Sequence, residues 1–215
     1  EELEEIKKNY KSMILRKTKR NLLMIGFNRR FSPQIKIIKK MIYNIKTPKS
    51  IIININAGKI DKLNWVQDDQ IGGGRIVGEL CHFIDLSMFL IGKKIKSWHK
   101  ISLDDECNDT LSVQFKYFDG SISTINYFAN GSMSYQKERI ELYVDGKILI
   151  LDNFKKLKGY GWKNFNKNNL WKQNKGQNEC VSAFIKAIKD GLDSPISFDE
   201  IVEVSRIAID IKNDI

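Results

Sequence analysis

Residues 72–85, GGGRIVGELCHFID, constrain this chain more than any other stretch. Three consecutive glycines leave backbone torsions free and let the chain pass close to a neighbour or a ligand. Helical spacing follows. Glu79, His82 and Asp85 recur every three residues, near one stripe of a helix. Ile76, Val77, Phe83, Ile84 and Leu86 surround that stripe, so the helix is expected to be largely buried. A histidine and two carboxylates on a buried helix are costly unless they are paired or employed. A glycine loop feeding an inward-facing histidine fits proton transfer. On spacing alone a plain turn followed by a satisfied core histidine is the commoner case.

The rest of the chain reads as alternating strands and turns closed by helices. Residues 1–19 are predicted as an amphipathic helix, with Leu3, Ile6, Tyr10, Met13 and Ile14 on one side. Residues 21–27 are predicted as a short apolar strand. Residues 31–44 read as a helix, with Ser32 as N-cap and Pro33 at its first position. The predicted strands cover 49–57, 95–103, 110–118, 121–129, 139–144 and 147–151. Asp119-Gly120 and Asp145-Gly146 mark two hairpins. The polar stretch 155–177, with Trp162 and Trp171, reads as a mobile loop. Helices are predicted over 177–190 and 199–213. Repeated hairpins imply an α+β fold: an open, mostly antiparallel sheet with helices packed on one face. Val113, Phe115 and Tyr117 alternate with Gln114 and Lys116, so the sheet has a second, barer face.

Composition narrows the function classes. At 215 residues, with 42% hydrophobic and 29% charged residues, the chain suits one soluble domain or one domain plus a remnant. No apolar run approaches the ~20 residues that cross a membrane. Cys81, Cys107 and Cys180 form neither a disulfide framework nor a zinc pattern, which suits a reducing cytoplasm. The net charge is +10, but the lysines are dispersed rather than striped, which argues against a nucleic-acid partner. No metal site is expected: Glu79-x-x-His82 is half of a di-iron motif without its second copy.

The segment GGGRIVGELCHFIDL, together with MIGFNRRFSP at 24–33, resembles the Gfo/Idh/MocA oxidoreductases, the glucose-fructose oxidoreductase and inositol dehydrogenase group. Smaller echoes follow in the family's order: INAG at 55–58, YQKERIELYVDGK at 135–147 and NKGQNECVSAFIKAIKDG at 174–191. The resemblance implies a division of the chain. Residues 1–27 would be the last helix and strand of a Rossmann nucleotide-binding domain, and 28–215 the substrate-binding and oligomerisation domain. The family's Gly-rich nucleotide fingerprint is missing ahead of Gly72, and its proton-handling Glu-Lys-Pro motif occurs nowhere in the chain. The resemblance therefore implies the C-terminal part of an NAD- or NADP-dependent enzyme acting on a sugar or nucleotide-sugar hydroxyl. The fragment alone is expected to bind no cofactor and to be inactive. It also implies a homo-oligomer assembled through the free sheet face. The alternative is a binding or assembly module that keeps the fold without the chemistry.

Specific residues follow from the resemblance. His82 matches the family's substrate-facing histidine, and Asp85 would orient the ring or anchor the helix. Many members carry an aspartate four residues before the histidine; here Gly78 stands there and Glu79 follows it, which puts an Asp–His relay in doubt. Glu79, one position along a helix, points about 100° away. Asn28, Arg29 and Arg30 are candidates for cofactor contact, with ion pairing as the even alternative for the arginines. Arg75, Gly73 and Gly74 are candidates for substrate contact. Trp65 could stack on a sugar ring, and Lys175 and Lys137 are weaker candidates.

Overall fold

The computed structural model describes residues 2–15, 22–61, 63–68, 71–104 and 109–214. Among these residues eight strands form one sheet: β1 (Ser50–Asn56), β2 (Ile95–Ser102), β3 (Leu111–Tyr117), β4 (Ile122–Phe128), β5 (Glu138–Val144), β6 (Lys147–Asp152), β7 (Lys156–Tyr160) and β8 (Lys167–Asn169). Their spatial order is β2-β3-β4-β1-β5-β6-β7-β8. Every neighbouring pair is antiparallel except β1 with β4, which run parallel. The expected class, an open and mostly antiparallel sheet in an α+β fold, is the one observed.

Period-two alternation decides which face is the core. Ile51, Ile53 and Ile55 of β1 are buried, as are Val113, Phe115 and Tyr117 of β3 and Ile140 and Leu142 of β5. Gln114 and Lys116, between them, are exposed. On the second face Ser112 Oγ donates to Asn126 Oδ1 (2.5 Å), and Asn126 Nδ2 donates to Asn54 Oδ1 (2.6 Å). The row continues with Arg139 Nη1 on Asp152 Oδ1 at 2.7 Å. Cross-strand partners at one register thus carry a polar ladder over the outer face. At the β5–β6 turn Asp145 (φ 47°) and Gly146 (φ 69°) are both left-handed, as the favoured two-residue hairpin loop requires.

Among the described residues five α-helices accompany the sheet: α1 (Glu2–Leu15), α2 (Pro33–Ile42), α3 (Cys81–Ile91), α4 (Gln177–Lys189) and α5 (Phe198–Asn213). The apolar residues of α3, Phe83, Ile84, Leu86 and Leu90, join the sheet's buried residues in one core. Tyr117 pins α3 to the sheet: its hydroxyl donates to Ser87 Oγ at 2.8 Å and lies 2.9 Å from Ser123 Oγ. Gly92 (φ 76°) ends α3 with its N–H on the Met88 carbonyl. Ser197 and Glu200 cap α5 reciprocally.

The structure differs from the sequence reading in three places. Residues 22–27, expected as the closing strand of a nucleotide-binding domain, form no strand; Phe27 N–H turns back onto the Ile25 carbonyl (2.8 Å), and the Leu23 carbonyl accepts from the Ser194 hydroxyl (2.8 Å) instead of from a strand partner. Residues 155–177, expected as a loop, contribute β7 and β8 and extend the sheet. Ser32 does not cap α2 with its side chain; its hydroxyl donates instead to the Asn174 carbonyl at 2.8 Å. The first helix is seen over 2–15 and packs on α5, where Tyr10 stacks on Phe198 with ring centroids 3.8 Å apart. The remainder of the predicted first helix, together with Asn21 and Cys107, lies outside the described residues.

Candidate functional site

Gly72 lies where no side chain fits: a Cβ there would come within 2.5 Å of the Trp65 carbonyl oxygen. Gly73 (φ 69°) and Gly74 (φ 78°) are left-handed. The triple glycine thus packs backbone on backbone against the short 3-10 turn Trp65–Gln67. The Gly73 carbonyl accepts from Lys212 Nζ of α5 at 3.0 Å. The chain then enters α3 through a π-helical turn, Ile76–Leu80. Such widened turns occur mostly as isolated insertions in helices, frequently at functional sites.

The wide turn carries Glu79 toward the sheet. Lys137 Nζ donates to Glu79 Oε1 at 2.6 Å, the Tyr127 hydroxyl donates a short hydrogen bond to Oε2, and Arg75 Nη2 lies 3.4 Å from Oε2. Burial raises the carboxyl's pKa, but the bonds from Lys137 and Tyr127 outweigh it and hold the group at about 2. Arg75 is buried and also donates to the Gly58 and Ala57 carbonyls, at 2.7 and 3.0 Å, and lies 3.6 Å from Asp109. Arg75 therefore ties the end of β1 to the glycine loop. Lys137, with 37% of its side chain exposed, and Glu79, with 23%, are the parts of this cluster that reach solvent.

Asp85 and Glu138 are each wholly buried, at 0% side-chain exposure, and each is held by an arginine from the 3-10 turn Asn28–Phe31. Arg30 Nε donates to Asp85 Oδ2 at 3.0 Å, its Nη2 makes a shorter bond to Oδ1, and its Nη1 reaches Glu200 at 3.2 Å. Burial pushes the Asp85 carboxyl up to about 6 against the pull of Arg30. At neutral pH the pair is ionic. Arg29 Nη2 donates to Glu138 Oε1 at 2.7 Å, and its guanidinium sits 4.3 Å above the Phe83 ring. Lys175 Nζ lies 3.0 Å from the other Glu138 oxygen, while the Lys175 carbonyl accepts from Asn28 Nδ2 at 2.8 Å.

His82 stands between these clusters. It is half-buried, edge-on to Phe27 with ring centroids 5.7 Å apart. Its Nδ1 is buried and has no hydrogen-bond partner among the described residues. Burial lowers its pKa, and the neighbouring Arg29 charge lowers it further, to about 4. The ring is therefore neutral near pH 7. A buried nitrogen left without a partner costs about 1–3 kcal/mol unless a ligand or water satisfies it.

The structure thus brings together Glu79, Arg75 and Lys137 in one cluster, and Asn28, Arg29 and Lys175 in another beside α3, with Arg30 and Asp85 paired below it. Trp65 is 64% exposed on its own turn. Each of the three Arg30 guanidinium nitrogens is engaged within the chain. The arginine donors thus serve a clamp on the buried carboxylates, while His82 Nδ1 is left without a hydrogen bond among the described residues. Sequence reasoning passed over Glu138, Tyr127, Asp109 and Glu200. A signal existed for two of them: Glu138 and Tyr127 share the parity of the buried apolar residues on their own strands. Cys81, beside His82, is buried, and burial raises its thiol to about 12, so it is inert as a nucleophile.

A family model for the C-terminal alpha/beta domain of the Gfo/Idh/MocA oxidoreductases matches residues 36–186, and the chain belongs to that family. A search of the curated proteins found no match. Similar solved structures include a dehydrogenase from Clostridium difficile, 22% identical with a TM-score of 0.70 over 90% of this chain and 62% of that one. A UDP-N-acetylglucosamine 3-dehydrogenase from Acidithiobacillus ferrooxidans is 14% identical with a TM-score of 0.72, over 88% of this chain and 60% of that one. A levoglucosan dehydrogenase solved with NADH is 15% identical with a TM-score of 0.71, over 91% and 64%. At these identities the likeness is one of fold, and the chain spans less than two thirds of each of these structures.

Proposed function

We propose that this chain forms the substrate half of an NAD- or NADP-dependent dehydrogenase that oxidises a hydroxyl of a sugar or nucleotide sugar. The observation that carries the reading is the unpartnered, buried Nδ1 of His82 on the helix that follows the glycine loop. The nicotinamide would supply the hydride acceptor, held by a nucleotide-binding domain ahead of this chain. His82, neutral near pH 7, would receive a hydrogen bond from the reacting hydroxyl and hold its proton side fixed. Glu79 is too firmly held by Lys137 and Tyr127 to take up that proton; it would order the wall of the pocket. Asp85 would anchor α3 through Arg30, so that the His82 ring does not drift. Arg29 and Lys175, joined through Glu138, would leave a net positive charge beside the ring, which favours a developing alkoxide. Asn28 and Arg30 would fix the path by which the chain enters the domain. Arg75, Gly73 and Gly74 would shape the substrate side, and Trp65 its outer rim. The stretch alone would then be inactive, in a cytoplasmic enzyme.

The polar ladder on the outer sheet face supports assembly into a homo-oligomer through that face. Sedimentation of the full-length protein as a monomer would remove that part of the reading.

One observation favours a second reading, a binding or assembly module without catalysis. Where many relatives carry an aspartate four residues before the histidine there is Gly78, and the adjacent carboxylate is bonded to Lys137 and Tyr127 rather than to His82. His82→Ala in the full-length protein separates the two. A fall in kcat of about 10²-fold or more is expected for a proton-side contact. An undiminished rate, or no sugar-dependent reduction of NAD or NADP by the unaltered protein, sinks the catalytic reading.

A further inference from the structure

The loop that precedes α4 opens onto the surface. A cleft of about 400 Å³ lies there, lined by Trp171, Lys172, Gln173, Asn174, Gln177 and Asn178 among others. Trp171 is 91% exposed, whereas Trp98 and Trp162 pack against the core. An indole ring in water forgoes on the order of 1.5–3 kcal/mol of burial, so its presentation calls for a use. The loop that presents it is pinned. Leu170 N–H bonds the Lys155 carbonyl (2.8 Å), and Gln173 Nε2 the Asn153 carbonyl (2.8 Å). Asn174 Nδ2 bonds Glu179 (2.7 Å), and the Asn174 carbonyl takes the Ser32 hydroxyl. The backbone that bears the indole is thus held in place. Gln177 and Asn178 are exposed beside it, and their amides have no hydrogen-bond partner among the described residues.

The lining chemistry selects the occupant. A flat aromatic face stacks on another planar ring, with a gain of about 1–3 kcal/mol per base. Amides offer donors and acceptors together, as the edge of a nucleobase demands. Lys172 supplies a positive charge for an adjoining phosphate, and no carboxylate lines the cleft. The loop runs from Trp171 to Lys175, whose Nζ meets Glu138, the neighbour in sequence of the Lys137 that holds Glu79. Four residues of chain span at most about 14 Å, which bounds the separation of Trp171 from Lys175. We infer that Trp171 stacks on the base of a nucleotide-linked sugar, with Gln177 and Asn178 on the base edge and the sugar directed toward His82. The direction of the sugar rests on the proposed oxidation; the base contact does not.

The test is titration of the full-length protein with UDP, ADP and GDP by calorimetry, beside ribose 5-phosphate as a probe without a base. At least one nucleotide is expected to bind, Trp171→Ala to weaken it tenfold or more, and Trp171→Phe to stay within about threefold, since phenylalanine keeps a stacking face. Ribose 5-phosphate should bind no better to the unaltered protein than to Trp171→Ala. The inference fails if none of the three nucleotides binds at millimolar concentration, or if Trp171→Ala binds as tightly as the unaltered protein. It fails also if the substitution lowers the mass of the particle in solution, which would make the indole an interface residue. His82→Ala should leave nucleotide binding intact. Trp171-dependent binding in a protein that oxidises no sugar would overturn the proposed function and leave the base site standing.

Discussion

Asp85 and His82 sit one turn apart on α3, and the fold treats them oppositely. Asp85 is wholly buried and bonded twice by Arg30, which also reaches Glu200. His82 keeps some exposure, and its buried nitrogen has no partner among the described residues. The difference separates two uses of a polar group in an apolar helix. A satisfied ion pair fixes where the helix lies. An unsatisfied nitrogen is a cost the fold bears, and such costs concentrate where a ligand relieves them.

The largest effect should come from breaking the satisfied end. Arg30→Met leaves the Asp85 carboxylate buried among apolar side chains without its counter-ion. Removal of one partner from a buried pair costs roughly 3–5 kcal/mol, because the remaining charge is uncompensated. Urea unfolding of the full-length protein should show that loss as a lower midpoint at unchanged slope. Asp85→Asn with Arg30→Met together should recover part of it, since no charge is then stranded. A loss below about 1 kcal/mol for the single substitution would mean that Asp85 simply takes up a proton, and the contrast with His82 would lose its basis.

The sequence revealed the satisfied and the unsatisfied group unequally. Alternation in β1, β3 and β5 exposed the core face, and Asp145-Gly146 its hairpin, because these are local signals. The spacing of Glu79, His82 and Asp85 placed all three on one helix. It could not show that a π-helical turn lies under Glu79, because a widened turn depends on packing and not on periodicity. Glu138 was missed because the predicted strand began at Arg139, one residue late. Had the parity been carried back, a carboxylate in phase with Ile140 and Leu142 would have demanded a buried cation, and Arg29 stood ready. The hairpin of β7 and β8 was hidden by its composition: Lys156, Lys158 and Lys167 are polar strand residues on an exposed face, where β propensity is weakest.

A smaller effect should mark the unsatisfied end, and acid is the way to read it. In the unfolded chain His82 would titrate near 6.5; in the fold, burial and Arg29 depress it to about 4. Above pH 6.5 the ring is neutral in both states and its contribution to stability is fully present. As pH falls from 6.5 toward 4 the unfolded state takes the proton first, and that contribution is lost, by roughly 3 kcal/mol at 1.36 kcal/mol per unit. Glu79 acts lower, since its folded pKa of about 2 lies below the ordinary 4.5: its stabilisation holds above 4.5 and falls away between 4.5 and 2. The two windows meet near pH 4; Asp85, pushed from 3.8 to about 6 by burial, adds stability as pH falls through the upper one, so the His82 part is read as the difference between the variant and the unaltered protein. His82→Leu, which puts an apolar side chain of similar bulk there, should raise stability at pH 7 by about 1–3 kcal/mol, because the cost of the unpartnered nitrogen is removed. It should also flatten the decline between pH 6.5 and 4 while leaving the decline below 4.5 that belongs to Glu79. Urea midpoints taken at half-unit steps of pH give both slopes. If the variant declines through the upper window as steeply as the unaltered protein, the ring is charged in the fold, its nitrogen is satisfied after all, and α3 has two anchored ends instead of one.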